Sequence, residues 1–298
     1  MKSEDPLLSE EVLKKIKKIE ITAKKIIDDS VTGNYRSHFK GQGVQFSEHR
    51  VYMPGDDVRH IDWKVSARTR DPLVKKFEEE RELTVLILVD LSGSGVFGSQ
   101  EKLKNEVAAE VAGTLAYAAT HTGDKVGALL FSDIVELTIP PKKGKHHVLR
   151  MIKDVMSFSP ENKGTSLKIA LDSANRVMKH AGVVFIISDF LDEDYEISLK
   201  RLARKHDVVA ICLEDQRESS IPQSGLICLE DPETGEEAIV DTRSSAFQRW
   251  FQENRSFEKQ KREDLFKRCQ IDSLVIQTHD SSIDLLIKYF KSRSRKRG

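Results

Sequence analysis

The sequence predicts an α/β fold, a doubly wound and mostly parallel sheet preceded by a smaller N-terminal helix and a β-rich preamble. Three observations predict it. Leu83–Val89, Val183–Ser188 and Val208–Leu213 are short, nearly unbroken apolar runs rich in Val, Ile and Leu, the pattern of strands covered on both faces. Segments with helical spacing of apolar residues stand between them, and strands alternating with helices favour parallel pairing through crossovers. The 298 residues leave room for one domain of about 200 residues beside a smaller module. The expected division is 1–80 for the helix and preamble and 81–298 for the sheet domain.

The first element expected is a helix over Ser9–Ile27, where Leu13, Ile16, Ile19, Ala23, Ile26 and Ile27 keep helical spacing behind a Ser-Glu-Glu start. Its lysines, Lys14 to Lys25, are diluted by Glu20, Asp28 and Asp29 and read as the solvated face of a packed helix. From Asp29 to Glu80, glycines and Pro54 punctuate short β-like runs. Met53-Pro54-Gly55-Asp56 has the fixed φ followed by positive φ that a type II turn requires. Arg59 and Asp62, three apart, are expected to pair on one helical turn, and Trp63 to anchor the segment in a core.

Beyond the strand at 83–89, Glu101–Ala119 places Leu103, Val107, Val111, Leu115 and Ala118 on one helical stripe. Val126–Phe131 and Ile134–Ile139 flank Ser132-Asp133 as a hairpin. His146–Phe158, Ser166–Lys179 and Ser198–His206 read as helices. Gly225–Val240, around Asp231-Pro-Glu-Thr-Gly235, reads as a polar hairpin insertion. A helix over Ala246–Cys269, a strand over Ile271–Thr278 and a helix over Ile283–Phe290 finish the chain.

Composition excludes some classes. Lys plus Arg number 48 and so do Asp plus Glu, so no global field draws the chain to nucleic acid or an anionic membrane. Cys212, Cys228 and Cys269 are odd in number and without metal-ligand or redox spacing, and they read as reduced core residues of a cytosolic protein. No apolar run approaches the roughly 20 residues of a membrane span, and the N-terminus lacks a signal core. The expectation is a cytoplasmic protein.

Chemistry-bearing residues stand at the strand ends, where open α/β sheets bind ligands. Asp90-x-Ser92-x-Ser94 follows the first buried strand, and such oxygen donors suit Mg2+, Mn2+ or Ca2+ rather than zinc. By itself the motif is also a solvated turn with a helix cap. Thr165, in Lys163-Gly-Thr-Ser, lies 75 residues beyond Asp90, and Asp189, after the strand at 183–188, lies 99 beyond it. Singly, each reads as a helix cap.

Taken together, Asp90, Ser92, Ser94, Thr165 and Asp189 resemble the metal-ion-dependent adhesion site of von Willebrand factor type A domains. A second resemblance covers the preamble. Gly41-Gln-Gly43-Val-Gln-Phe46, Arg50-Val-Tyr-Met-Pro54-Gly55-Asp56-Asp57-Val-Arg59-His-Ile-Asp62-Trp63 and Ala67-Arg68 resemble the signature of the family called domain of unknown function fifty-eight, which joins such a preamble to a von Willebrand A-like domain. The signature is read as structural, tying the preamble to the sheet. Many relatives are similar to proteins that work beside MoxR-type AAA+ ATPases and carry N-terminal membrane helices. This sequence has no such helix, so anchoring is not carried over.

The resemblance implies capture of a protein partner's Asp or Glu through a shared divalent cation, most simply Mg2+. Ser92 and Ser94 would ligate directly, Thr165 directly or through water, and Asp90 and Asp189 directly or as acceptors holding bound waters. A position stays open for the guest carboxylate. A helix beginning near Ser99 is expected to turn its positive end toward the site.

The enzyme alternative is a Mg-dependent phosphohydrolase with Asp90 as nucleophile. The place of its proton donor is held by Ser92, which is no acid near neutral pH. The acidic run Asp189, Asp192, Glu193 and Asp194 reads either as the holder of magnesium for hydrolysis or equally as a solvated helix start. Other catalytic motifs are missing: Val96 stands where a Gly-x-Ser-x-Gly around Ser94 needs glycine, and His146 and His147 read as surface or core residues. The third class is nucleic-acid binding through the basic tail Lys291–Arg297, which reads instead as a frayed, solvated terminus. The reading is therefore a non-enzymatic, metal-dependent interaction adaptor.

Overall fold

The computed structural model describes residues 45–296 apart from 70, 79–82, 97 and 99–101. The helix expected over Ser9–Ile27, together with Gly41 and Gly43, lies outside the described residues. Two compact units divide the chain, one over Lys40–Leu83 and another holding everything from Thr84 onward.

In the Lys40–Leu83 unit, β1 (Gln45–Val51) runs antiparallel to β2 (Leu73–Glu78). Between them Asp56 N–H donates to the Met53 carbonyl at 3.0 Å, and Gly55 takes a φ of +109°, where a side chain would be strained. A one-turn helix, α1 (Trp63–Ser66), is capped by Asp62, whose carboxylate accepts from the Lys64 and Val65 N–H groups.

Two expectations fail in this unit. Arg59 pairs with Asp57 (2.7 Å) rather than Asp62, and Asp62 Oδ2 lies 3.2 Å from both His49 Nε2 and Lys75 Nζ. A 3-10 turn over Val58–His60 ends before Asp62, so Arg59 and Asp62 share no helix across which to meet. Trp63, expected as an anchor, is 67% exposed, because α1 is too short to bury any residue.

From Thr84 onward the order is β3 (Thr84–Asp90), α2 (Lys104–His121), β4 (Lys125–Phe131), β5 (Val135–Lys142), α3 (Lys145–Ser157), α4 (Leu167–Val177), β6 (Val183–Ser188), α5 (Glu196–Ala203), β7 (Asp207–Glu214), α6 (Gln216–Ser219), β8 (Leu226–Glu230), β9 (Glu237–Asp241), α7 (Ser245–Cys269), β10 (Asp272–Gln277) and α8 (Ser282–Lys296). Six strands form one sheet in the order β10-β7-β6-β3-β4-β5. All pairs are parallel except β4 with β5, the hairpin at the edge. β8 and β9 form a separate antiparallel hairpin. The fold is thus the mixed α/β, mostly parallel architecture the apolar runs predict.

The central strands are buried on both faces. Val85 to Val89 have no exposed surface, and the same holds for most of β4, β6 and β7. Leu86, Leu88, Leu129, Phe131, Val184 and Ile186 face Leu167, Leu171 and Leu199 of α4 and α5 and Phe266 of α7 in one apolar cluster. Each such side chain contributes about 1.5–3 kcal/mol on burial. α2 is buried nearly all round, with Ala108, Ala109, Ala112, Ala116 and Ala119 inside as well as the expected stripe, because its small side chains admit neighbours on both flanks.

Further corrections concern the ends of elements. α2 begins at Lys104 rather than Glu101, after a short 3-10 turn over Gly93–Val96. The basic tail is not a frayed terminus as far as Lys296: α8 runs on to that residue, and Arg293 is buried with Nη2 2.5 Å from Asp207 and Nε 2.9 Å from Asp272. Two carboxylates at the start of the neighbouring strands β7 and β10 give the guanidinium an inward partner. Of the cysteines, all free, Cys212 is buried, Cys269 half-buried and Cys228 exposed, since β8 belongs to the outlying hairpin and not to the sheet.

Candidate functional site

β3 is the strand at which the sheet order reverses, with β4 on one side and β6 on the other. Ligands in such sheets gather beyond the carboxyl end of that strand, where Asp90 stands. Ser188 Oγ donates to Asp90 Oδ2 at 2.6 Å, and Ser92 N–H donates to Asp90 Oδ1 at 3.0 Å. The Ser92 and Ser94 hydroxyls are 3.1 Å apart. Asp189, one residue past β6, accepts from Lys104 Nζ at 2.9 Å and from Leu191 N–H at 3.2 Å. Asp90, Ser92, Ser94, Ser188, Asp189 and Lys104 line one small cleft. Asn105 also lines it, and its buried Oδ1 finds no hydrogen-bond partner among the described residues.

Thr165 comes from the loop before α4. Gly93 N–H donates to the Lys163 carbonyl at 2.6 Å, and Ser166 N–H donates to the Ser132 carbonyl at 2.9 Å, so the loop is tied to both the β3 and the β4 ends. Ser166, not Thr165, caps α4, accepting from Ile169 N–H, and Asp192 Oδ2 accepts from Leu167 N–H at 2.7 Å. That frees the Thr165 hydroxyl, which donates to Glu233 Oε1 at 2.6 Å. Asp189 caps no helix either, since α5 starts at Glu196.

Burial and the nearby Asp189 charge push the Asp90 carboxyl far above the usual carboxylate range, to about 7. Asp189 moves the other way: burial raises it, but the Lys104 ammonium outweighs burial and holds it low. Lys104 itself is opposed by burial and kept above the ordinary lysine value by Asp189 and Glu218, to which it also bridges. Burial raises Glu233 despite its bond from Thr165, with Asp189 among the charges acting on it. The rim therefore holds one carboxylate with a built-in counter-ion and one without.

Sequence reasoning missed Lys104, Asn105, Ser188, Glu218 and Glu233. Ser188 adjoins Asp189 and was open to inspection as a second hydroxyl at a strand end. For Glu233, 68 residues from Thr165, no local signal exists.

The signature residues make turns within their own unit. Arg50 grips Asp56 through two nitrogens at 2.6 and 2.7 Å, and Asp56 also accepts from Met53 N–H at 2.9 Å, which holds its carboxyl low. Asp62 is driven up by desolvation, yet the groups at His49, Val65 and Lys75 bring it down to about 2. Arg68 closes the α1 turn through its N–H to the Val65 carbonyl at 3.0 Å.

A buried polar rim thus stands at the switch point of a mostly parallel α/β sheet. The family model described as "Protein of unknown function DUF58" matches residues 48–262, and the chain belongs to this family. Its relatives include Uncharacterized protein Mb1516 of Mycobacterium bovis, 32% identical over 223 residues, spanning 74% of this chain and 70% of that one. Uncharacterized protein YeaD of Bacillus subtilis is 30% identical over 127 residues, covering 42% of this chain and 29% of that one. Among solved structures, the conserved hypothetical protein BatB of Bacteroides thetaiotaomicron is similar with a TM-score of 0.48 and 16% identity, covering 72% of this chain and 99% of that one. The SpRpn10 VWA domain is similar with a TM-score of 0.38 and 13% identity, covering 69% and 94%. Among the described residues, no helix is long and apolar enough to cross a membrane.

Proposed function

We propose that this protein is a cytoplasmic, non-enzymatic interaction adaptor that captures an Asp or Glu of a protein partner through a divalent cation, with Mg2+ the best match. What supports the reading is the cleft in which three hydroxyls (Ser92, Ser94 and Ser188), two buried carboxylates and Asn105 Oδ1, without a hydrogen-bond partner among the described residues, meet beside the Lys104 ammonium. The donor set is all oxygen, as hard cations require. Adjacent corners of an oxygen octahedron with bonds of about 2.1 Å lie roughly 3.0 Å apart, and the Ser92 and Ser94 hydroxyls are 3.1 Å apart. Bound there, the cation would supply an electrophilic coordination position for an outside carboxylate.

The residues divide their work by their existing partners. Ser92 and Ser94 offer hydroxyls to the ion directly. Asp90, with no ammonium of its own, supplies the negative charge and holds Ser92 through its backbone N–H. Asp189, already matched by Lys104, acts as an acceptor that orients rather than as a primary ligand. Thr165 is not among the residues lining that cleft, and its hydroxyl, bonded to Glu233, would join from the loop before α4. The MoxR-type ATPase is the partner we propose by family likeness.

Calorimetric titration with Mg2+ and Mn2+ tests the reading on wild type and Asp90→Ala. Loss of at least about tenfold in affinity with folding retained is the expected result. Equal binding by both proteins refutes it. A partner pull-down repeated with chelator separates the adaptor from a metal-independent binder.

A further inference from the structure

The β8–β9 hairpin sends its tip to the candidate site. Asp231 Oδ1 accepts from the N–H groups of Glu233 and Thr234 at 2.8 and 3.4 Å, which shapes the tip and aims Glu233. Behind it, the Pro232 carbonyl backs onto Gly93, where a Cβ would lie only 2.4 Å from that oxygen. Glycine at 93 is what lets the hairpin tip approach the loop between Ser92 and Ser94. Glu233 Oε1 then lies 2.6 Å from the Thr165 hydroxyl.

Among the described residues, little else holds the length of the hairpin. Its strands are largely exposed, with Leu226 at 75% and Ile239 at 76%, and a lone two-stranded hairpin is marginal in water. Its base is pinned to α7 by Gln248, whose Nε2 donates to the Ile221 and Thr242 carbonyls at 3.1 and 2.8 Å. A firm base and a lightly held tip make a part that pivots at modest cost.

We propose that Glu233 is the chain's own carboxylate for this site, occupying the position beside Thr165 through which an outside Asp or Glu binds, so that partner capture requires the hairpin tip to lift. This rests on the metal-dependent reading above. Glu233 supplies what a guest would supply, a carboxylate oxygen in direct contact, at 2.6 Å, with the Thr165 hydroxyl. The guest competes with a tethered rival at high effective concentration, and the bare site is kept from adventitious acids.

The test uses the full chain with Mn2+ as the ion and acetate as the outside carboxylate, read by Mn2+ affinity and by water-proton relaxation of the bound ion. Glu233→Ala and Glu233→Gln are both expected to bind Mn2+ about tenfold more weakly, to show higher relaxivity per bound ion, and to respond to acetate at lower concentration than wild type. Gln keeps an oxygen that accepts from Thr165 but lacks the charge. Wild-type behaviour of Glu233→Gln therefore assigns a merely structural part and overturns the proposal. Wild-type affinity and relaxivity in both variants overturn it as well. If wild type binds Mn2+ and Asp90→Ala abolishes binding, such a result removes only the role of Glu233. If wild type binds no Mn2+, the metal-dependent reading itself falls.

Discussion

Lys104 decides how the candidate rim is held together, and Lys104→Met measures it. The side chain is 3% exposed and bridges Asp189 and Glu218, whose side chains are 5% and 15% exposed. Methionine keeps much of the apolar stem and removes the charge. Asp189 would then face Asp90 with no ammonium between it and the cost of burial. Removing one partner of a buried ion pair costs about 3–5 kcal/mol. For a domain of this size each kcal/mol is worth about 2–4 °C, so Tm is expected to fall by roughly 6–20 °C. The raised pKa of Lys104 means that its contribution is fully present at neutral pH and is lost only as pH rises through that folded value. Thermal unfolding at pH 7.5 and pH 5 in chelator is the assay. The deficit should shrink at pH 5, where the released carboxylates neutralise themselves by taking up protons. Removing a cation beside the site should also strengthen Mn2+ binding. A variant melting within 2 °C of wild type at pH 7.5 (an effect of about 1 kcal/mol or less) would show that the pair does not hold the rim.

Two further outcomes are expected. Asp90 holds its proton up to about pH 7 in the fold, against about 3.9 unfolded. The folded state thus binds more protons over that interval, and metal-free stability declines as pH rises from about 4 to 7. Asp90→Asn should flatten this slope in urea unfolding series run with chelator, and an unchanged slope would remove Asp90 as its source. Arg293→Met should lower stability by about 1–3 kcal/mol, less than Lys104→Met because Asp207 and Asp272 keep 25% and 41% of their side-chain surface and so stay solvated. Its Mn2+ affinity should match wild type, and a stability equal to wild type would mean that α8 is not anchored through this residue.

Much of the fold was legible because burial on both sheet faces leaves a local mark. A run such as Val183–Ser188 suits few structures other than a central strand, and turn chemistry such as Pro54-Gly55 is settled within four residues. Element ends were less legible. Lys104 begins α2 three residues after the expected start, and α8 extends six beyond Phe290 because Arg293 finds carboxylates on β7 and β10. Charged residues carry no sign, in sequence, of whether a distant partner will bury them. Trp63 went the opposite way for the same reason: its apolar surface predicts burial, but its one-turn helix offers none.

For the candidate site, sequence alone determined which residues end the buried strands and open the adjoining loops: Asp90, Ser92, Ser94, Thr165 and Asp189. Only the tertiary structure decided how they are coupled. Strand pairing lets Ser188 reach Asp90 across 98 residues, and α2 packing lets Lys104 reach Asp189 across 85. The hairpin lays Glu233 on Thr165. Backbone preference acts within a few residues of a side chain, whereas charge, burial and hydrogen bonding act through space. The donor atoms are therefore written locally, and their protonation, counter-ions and rivals are set by what the fold packs beside them.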